Sequence, residues 1–337
     1  MIVKLGLSAL LISSALYATA DMKKWLRPAE VPQPKDNKLT PAKIELGKLL
    51  YFDKRLSASG QTNCATCHNP KRGWTDLEPV SKAIGAGRGP RNSPTILNSG
   101  YQNRQFWDGR ARTLEKQALG PIEADVEMNM PLDVLIPKLN AIKGYQELFK
   151  KAYPKSEGHI TAKYLSQAIA SFERTVVSTI SPFDKYAMGN KKAISKEAKQ
   201  GFELFTNKAH CADCHDKFNF TDGSFHNIGL HDGELQGKEL GRYLTKRRAA
   251  WYGVFKTPTL RDVTKSGPYF HDGSVKTLTE ATSICASGGR YKNGVKNKST
   301  YIVDRHLSEG EIASIVEFLK SLTGPDMELK IPTKFPQ

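Results

Sequence analysis

Apolar residues recur at helical spacing in three stretches of the chain, and each stretch begins with a residue that can cap a helix. Thr40 is followed by Pro41, a pair typical of a helix N-terminus, and Thr161 opens a second stretch. Ser308 and Glu311 form a capping-box pattern before the third. The apolar positions that follow are Ile44, Leu46, Leu49 and Leu50, then Leu165, Ile169 and Phe172, then Ile312, Ile315, Val316 and Leu319. The pattern predicts a mainly α-helical protein whose core is formed by these stripes.

The first twenty residues show a different pattern, a short apolar run behind a positive charge. Lys4 precedes the apolar residues 5–16, and the small residues 18–20 (ATA) come before Asp21. This order predicts a secretory signal peptide cleaved after Ala20, and an uncleaved anchor is the alternative. No later stretch approaches the ~20 apolar residues of a membrane span. We therefore expect a periplasmic protein that has no membrane span after cleavage.

Composition narrows the class of protein. With 39% hydrophobic and 25% charged residues, the chain is typical of globular proteins and not of disordered, collagenous or coiled-coil chains. Its 337 residues fit two domains. The formal net charge of +16 suits a basic surface that steers an acidic partner, with scattered solubilising lysines as an equal alternative. Five cysteines are too few for a disulfide scaffold, and an odd number leaves one thiol for another use.

Four of the five cysteines lie in two copies of the motif C-x-x-C-H, formed by Cys64, Cys67 and His68 and by Cys211, Cys214 and His215. This motif attaches c-type haem, because two thiols at this spacing join the two vinyl groups of one haem and the adjacent His binds the iron. A zinc ribbon is an alternative, but its two C-x-x-C pairs lie only about 15–20 residues apart. A redox C-x-x-C pair needs no His after both copies. The sequence therefore predicts two covalently bound haems.

The haem motifs belong to a longer internal repeat. Residues 91–98 (RNSPTILN) resemble residues 255–262 (FKTPTLRD), and residues 106–109 (FWDG) resemble residues 270–273 (FHDG) at the same offset. A similar helix precedes each haem motif. This self-similarity predicts two cytochrome c-like haem domains related by duplication.

The repeat suggests a division of the chain into a signal peptide (1–20), an N-terminal haem domain (21–181), a C-terminal haem domain (182–330) and a tail (331–337). The boundary between the domains is placed at Ser181-Pro182. The long loops 69–105 and 216–256 are expected to wrap the haems, because connections of that length usually have a function. Residues 27–38, rich in Pro and Lys, and residues 331–337 are expected to be surface tails.

The chain after the signal peptide resembles the bacterial di-haem cytochrome c peroxidases and their MauG-type relatives, which mature a protein-derived quinone cofactor. The most specific stretches are residues 89–95 (GPRNSPT), 106–110 (FWDGR), 127–129 (EMN) and 268–273 (PYFHDG). The resemblance implies that the N-terminal haem reacts with hydrogen peroxide. It also implies that the C-terminal haem relays electrons from a small cytochrome c or cupredoxin.

The resemblance further implies roles for individual residues. Trp107 is expected between the haems as an electron carrier, with a core aromatic as the alternative. Gln117 and Glu127 are expected on the open side of the N-terminal haem. There Glu127 would move a proton between the peroxide oxygens, and Gln117 would hold the departing oxygen. A solvated carboxylate is the alternative for Glu127. A calcium ion between the haems would take oxygen ligands from Asn92, Ser266 and Pro268.

One departure from the family pattern concerns the N-terminal haem. Typical members carry a His in an Ile-Gly-His-Gly loop, which blocks this iron until the other haem is reduced. Residues 84–87 read IGAG here, and alanine cannot bind iron. We therefore predict an N-terminal haem that is five-coordinate and reacts with peroxide without prior reduction.

A second departure concerns the C-terminal haem. Family members place its sixth ligand, Met or Tyr, fourteen residues after the His of the Phe-His-x-Gly motif, and here Cys285 occupies that position. In the N-terminal repeat, Trp107 matches His271, and the residue fourteen positions after it is Pro121, which cannot bind iron. We predict that Cys285 binds the iron of the His215 haem as a thiolate. A buried free thiol, with water, His226 or His231 on the iron, is the alternative.

Three functions are compatible with these features. The first, and our prediction, is a peroxidase that reduces hydrogen peroxide to water with electrons from a small periplasmic donor. The second is a MauG-type oxidase that modifies residues of a partner protein, which the missing plug and the non-Met ligand favour. The third, a non-enzymatic electron carrier, is disfavoured by Gln117 and Glu127 beside an open iron. We expect no nucleic-acid partner, and a homodimer is an open alternative.

Overall fold

The computed structural model describes residues 22–82, 88–231 and 239–337, and this part of the chain is mainly helical, as predicted. The N-terminal half contains α1 (Pro41–Phe52), α2 (Cys64–Cys67), α3 (Leu114–Glu123), α4 (Leu132–Asn140), α5 (Lys143–Ala152) and α6 (Ala162–Glu173). The C-terminal half contains α7 (Pro182–Ala187), α8 (Lys196–Thr206), α9 (Tyr243–Lys246), α10 (Leu278–Ala286) and α11 (Glu309–Ser321). Two short strands, β1 (Phe225–His226) and β2 (Phe255–Lys256), pair antiparallel.

Short 3₁₀ turns lie between the helices, at Lys54–Leu56, Pro70–Arg72, Ser99–Tyr101, Pro154–Ser156, Cys211–Asp213, Ala249–Trp251 and Val263–Lys265. Among the described helices, none has the length and apolar character that crossing a membrane requires.

The three predicted helix starts are confirmed. The side chains of Thr40 and Thr161 accept hydrogen bonds of 3.3 and 3.2 Å from main-chain N–H groups in the first turns of α1 and α6. Ser308 and Glu311 form the predicted reciprocal capping box at α11. Each cap satisfies N–H groups that the helix leaves without a partner, so these starts depend only on nearby residues.

Each half has its own hydrophobic core around one close helix crossing, α1 on α6 and α8 on α11. At the first crossing Gly47 lies against the main chain of Ala168, and at the second Gly201 lies against the main chain of Ser314. A Cβ atom on either glycine would collide with that backbone. The same glycine-mediated crossing in both halves supports the internal repeat.

The repeat extends to the backbone of the connecting segments. Asn98 and Asp262 occupy matching positions, both have left-handed backbone angles (φ 60° and 54°), and each precedes a 3₁₀ turn. Thr113 and Thr277, also at matching positions, cap α3 and α10 through their side chains. Two related domains are therefore visible in the loops as well as in the helices.

The chain ends are not the surface tails that the sequence predicts. Trp25 is fully buried in the core of the C-terminal half, where its ring stacks on Phe220 at 4.9 Å between ring centroids. Asn37, inside the segment 27–38, is also fully buried and donates a 2.9 Å hydrogen bond to Glu115. Near the other end, four apolar side chains pack on the core of the N-terminal half: Met327, Leu329, Ile331 and Phe335.

Each chain end thus crosses to the opposite half, and polar contacts hold it there. The guanidinium of Arg261 donates to the main-chain oxygen of Trp25 at 2.7 Å. That of Arg55 donates to the main-chain oxygen of Pro336 at 2.9 Å. Ser181, at the predicted boundary, caps α7. A cut in sequence at this residue would therefore leave each half without a segment of its core.

Candidate functional site

A cavity of about 840 Å³ lies between the two halves and is lined by residues of both C-x-x-C-H motifs. Its mostly apolar wall includes residues from both long loops, 69–105 and 216–256, together with α3 and α10. An apolar space bordered by two pairs of thiols is suited to two covalently attached macrocycles.

The histidine of each motif has one ring nitrogen engaged and the other available. Nδ1 of His68 lies 3.3 Å from the main-chain oxygen of Trp74, and Nδ1 of His215 lies 2.8 Å from that of Phe220. Burial lowers the pKa of both histidines, so both rings are neutral near pH 7. A main-chain carbonyl that accepts from Nδ1 leaves the lone pair on Nε2, the arrangement of a metal-bound histidine. The residues of both motifs therefore fit c-type haem.

Gln117 and Glu127 both line the cavity, on α3 and just after its end. Glu127 interacts electrostatically with the thiols of Cys64 and Cys67, which puts it on the side of the first haem motif. Burial raises the pKa of Glu127, and Arg110 opposes this shift. A cavity-lining carboxyl group with a raised pKa is suited to proton transfer. Glu127 is also exposed, so the solvated carboxylate stays an open alternative.

Trp107 lies in the cavity wall and belongs to neither hydrophobic core of the described residues. Its indole N–H donates a 2.9 Å hydrogen bond to the main-chain oxygen of Asn92, and its main-chain oxygen accepts one of 2.7 Å from Lys256. Its ring centroid is 6.4 Å from that of His271. Trp107 is therefore held by hydrogen bonds to both halves.

The three positions suggested for calcium also line the cavity. Asn92 is buried, and its side-chain amide donates to the main-chain oxygen of Glu78 at 2.9 Å, so its side-chain oxygen stays available to a cation. Ser266 ends a 3₁₀ turn, and the cis peptide bond between Gly267 and Pro268 follows. Oxygen donors of this kind suit a hard cation.

Pro121 and Cys285 occupy equivalent places, the eighth residues of α3 and α10, and both line the cavity. All five cysteines lie in the described ranges, and none of them forms a disulfide. Burial raises the pKa of Cys285 to about 12, with a further contribution from Cys214. A thiolate at this position therefore needs a compensating positive charge such as a ferric ion.

The two alternative histidine ligands for the C-terminal iron make polar contacts of their own. Both ring nitrogens of His226 are engaged, one 3.1 Å from Asp222 and the other 3.2 Å from Ser299. His231 faces Asp272, at 3.5 Å from its carboxylate. Both histidines line the cavity, as Cys285 does, and they stay alternatives to it.

Two features of the cavity are not predicted by the sequence analysis. Arg91 bridges Asp108 and Glu239, each at 2.8 Å, and so ties the two halves together. Glu173, at the end of α6, is 5% exposed, and burial raises its pKa to about 8. The signal for Glu173 was a carboxylate next to the apolar stripe of α6. Arg91 gave no comparable signal, because its partners are distant in sequence.

Two predictions fall outside the described residues. These are the signal peptide, residues 1–20, and the plug-free loop, residues 84–87. Both remain predictions.

Comparison with known proteins agrees with this geometry. The family described as di-haem cytochrome c peroxidase matches residues 41–192, and the cytochrome c family matches residues 198–323. The methylamine utilization protein MauG of Methylorubrum extorquens is 42% identical over 95% of this chain and 92% of its own length. The cytochrome c551 peroxidase of Pseudomonas aeruginosa is 34% identical over 90% of this chain and 85% of its own.

A solved structure of a MauG-like protein associated with microbial copper homeostasis has the same fold. It superimposes with a TM-score of 0.82 over 89% of this chain and 95% of its own, at 31% identity. Two c-type haems and oxidoreductase activity are common to this group. The chain is therefore a member of the family of di-haem cytochrome c peroxidases and MauG proteins.

Proposed function

We propose that this protein reduces hydrogen peroxide to water at the N-terminal haem, with electrons that a small donor protein delivers to the C-terminal haem. The observation that carries this proposal is the shared cavity, in which Glu127 lies beside the first haem motif and Trp107 is held between the halves. When bound, the N-terminal haem supplies the iron that takes a peroxide oxygen and passes on two electrons. One H₂O₂, two electrons and two protons give two molecules of water.

In this proposal the proton chemistry is carried out by the protein. Glu127, as carboxylate, takes the proton from the inner peroxide oxygen and returns it to the outer oxygen as the O–O bond breaks. The side-chain amide of Gln117 donates a hydrogen bond to that departing oxygen. Glu127 must therefore start deprotonated, so turnover is expected to fall as the pH drops through its raised pKa.

Steady-state oxidation of a reduced small cytochrome c by peroxide tests this role. Glu127→Gln is expected to lower kcat about 10²–10⁴-fold and to abolish the acid limb of the pH profile. Glu123→Gln is the matched control, because Glu123 is an exposed carboxylate on the adjacent helix α3. Full turnover by Glu127→Gln would contradict the acid–base role. A wild-type protein that does not oxidise the donor would contradict the peroxidase.

A second candidate is a MauG-type oxidation, in which a partner protein supplies the two electrons from its own side chains. It is favoured by the higher identity to the MauG relative, 42% against 34% for the peroxidase. The test is incubation with peroxide and the precursor of a quinone-cofactor amine dehydrogenase, without a cytochrome. Quinone absorbance in the precursor would support this candidate, and an unchanged precursor beside rapid cytochrome oxidation would exclude it.

We propose Cys285 as the axial ligand of the His215 haem. The support is its place on α10, equivalent to that of Pro121 on α3, together with the engaged nitrogens of His226. Cys285→Ala is expected to convert this haem from low spin to high spin in optical and paramagnetic-resonance spectra. The control is Thr282→Ala, since Thr282 lines the same cavity but donates to the main-chain oxygen of Leu278. An unchanged low-spin spectrum in Cys285→Ala would refute the ligation.

We also propose a calcium ion at Asn92, Ser266 and Pro268. Its removal is expected to loosen Trp107, because the main-chain oxygen of Asn92 holds the indole N–H. One calcium per protein by elemental analysis, lost in Asn92→Ala, is the expected result. Calcium retained in that variant would count against these ligands.

We further propose that the protein is exported to the periplasm with the signal peptide removed after Ala20. Sequencing of the mature protein is then expected to start at Asp21. The donor is proposed to be a small cytochrome, as the name of the Pseudomonas relative states for that protein. The net charge of +16 favours a donor protein with an acidic surface.

A further inference from the structure

Two histidines and a carboxylate meet at the edge of the cavity, and none of them belongs to a haem motif. His231, His271 and Asp272 each offer one ligand atom, and these three atoms lie within 4.8 Å of one another. The ring centroids of the two histidines are 5.4 Å apart, and Nε2 of His231 is 3.5 Å from the carboxylate of Asp272. A metal ion about 2.0–2.2 Å from each atom needs the atoms about 3–4 Å apart. Small rotations of the partly exposed side chains of His231 and Asp272 therefore bring the three ligand atoms to these distances.

His271 is the fixed member of this group. It is 5% exposed, and its ring stacks on Phe255 at 3.6 Å between centroids. Within the described ranges, Nε2 of His271 has no hydrogen-bond partner, and Nε2 of His231 has only its 3.5 Å contact with Asp272. Buried nitrogens without partners cost stability unless something binds them.

The surrounding charges allow a cation at this place. Besides His231, the positive group that acts on His271 is Arg91. Its guanidinium is, however, bound to the carboxylates of Asp108 and Glu239, each at 2.8 Å. Asp108 also pairs with Arg110 at 3.0 Å, so Asp108 and Glu239 together balance Arg91 and Arg110. Asp272 is then the additional negative charge at the site.

We propose that His231, His271 and Asp272 bind a divalent transition-metal ion of the zinc or copper type. Two imidazoles and a carboxylate suit such an ion, whereas calcium takes oxygen ligands. Water would fill the remaining coordination positions. The site thus differs in donor chemistry from the calcium position at Asn92.

The test uses the full protein with both haems attached, treated with a chelator and dialysed. Zn²⁺ is the probe, because it does not exchange electrons with the haems. Equilibrium dialysis with elemental analysis is expected to give one tightly bound zinc per protein, with nitrogen and oxygen ligands in its X-ray absorption spectrum. His231→Ala and Asp272→Asn, both at partly exposed positions, are each expected to weaken zinc binding about tenfold or more.

The matched control is His210→Ala. His210 also lies close to a carboxylate, 3.3 Å from Asp213, but has no second histidine beside it. This variant is expected to bind zinc as the wild type does. The proposal is overturned if the wild type binds no zinc, for example because the carboxylates of the haems occupy the space between the three side chains. It is also overturned if His231→Ala binds zinc as tightly as the wild type, or if millimolar Ca²⁺ displaces the zinc.

A consequence for turnover rests on the proposed function. Because His271 lies 6.4 Å from Trp107, bound zinc adds positive charge beside the ring that carries electrons. Saturating zinc is expected to slow peroxide turnover in the wild type but not in Asp272→Asn. The binding measurement is independent of activity, so failure of the metal site and failure of the peroxidase are told apart.

Discussion

The buried carboxyl group of Glu173 leads to a prediction about pH and stability. Glu173 ends α6 and lines the cavity, and its Oε2 atom has no hydrogen-bond partner in the described part of the chain. Arg174 offsets this effect only in part, because its guanidinium is bound to Glu115 at 2.7 Å. Burial raises the pKa of Glu173 from 4.5 to about 8 in the folded protein. The folded state therefore holds this proton more tightly than the unfolded chain does.

This difference in proton binding sets the direction in which stability changes with pH. The contribution of a protonated Glu173 is fully present below about pH 4.5 and is lost as the pH rises to about 8. At about 1.4 kcal/mol per pH unit, the full loss is about 5 kcal/mol, of which about 4 kcal/mol falls between pH 5 and pH 8.5. Glu173→Gln keeps the shape and cannot ionise. It is therefore expected to be about as stable as the wild type at low pH and more stable above about pH 8.

Denaturant unfolding followed by circular dichroism at about pH 5 and pH 8.5 measures this difference. Glu203→Gln is the control, since Glu203 is an exposed carboxylate on α8. That substitution is expected to leave the pH dependence unchanged. A wild-type free energy of unfolding that does not fall between the two pH values, relative to Glu173→Gln, would refute the reasoning.

Three substitutions and one deletion test the packing of the fold. Gly47→Ala forces a methyl group into the main chain across the α1–α6 crossing and is expected to cost about 1–3 kcal/mol, measured as a lower melting temperature. Gly310→Ala, which meets open space on α11, is expected to be neutral or slightly stabilising. Deletion of residues 331–337 is expected to speed hydrogen exchange in the N-terminal half, and unchanged exchange would contradict the packing described. Arg261→Leu leaves the buried carboxylate of Asp184 unpaired and is expected to cost about 3–5 kcal/mol of unfolding free energy.

The features predicted correctly from sequence are those set by neighbouring residues. Thr40 and Ser308 cap helices through groups a few positions away, so their patterns are visible in the sequence. The C-x-x-C-H motifs are equally local. The match of residues 91–98 with 255–262 exposed the duplication, because repeated segments adopt repeated conformations.

The features missed depend on contacts between distant segments. Trp25 stands in a short polar stretch, and nothing nearby indicates that the core of the other half receives it. Residues 331–337 contain two prolines and a lysine, a composition typical of a free end, yet Phe335 packs on the N-terminal core. His231 and His271 are likewise brought together only by the folded loops. Periodicity and composition carry no information about such pairings.

The exchange of chain ends between the halves has a consequence for how the protein matures. Trp25 is synthesised early, but its binding place is formed by residues around Phe220 and Phe318, which are synthesised much later. The start of the chain can therefore reach its final place only after the second half has been synthesised. When residues 327–337 pack on the first half, both chain ends are in their final positions. Completion of the second half thus acts as the closing step for the whole molecule, and a chain interrupted near residue 181 yields two incomplete pieces.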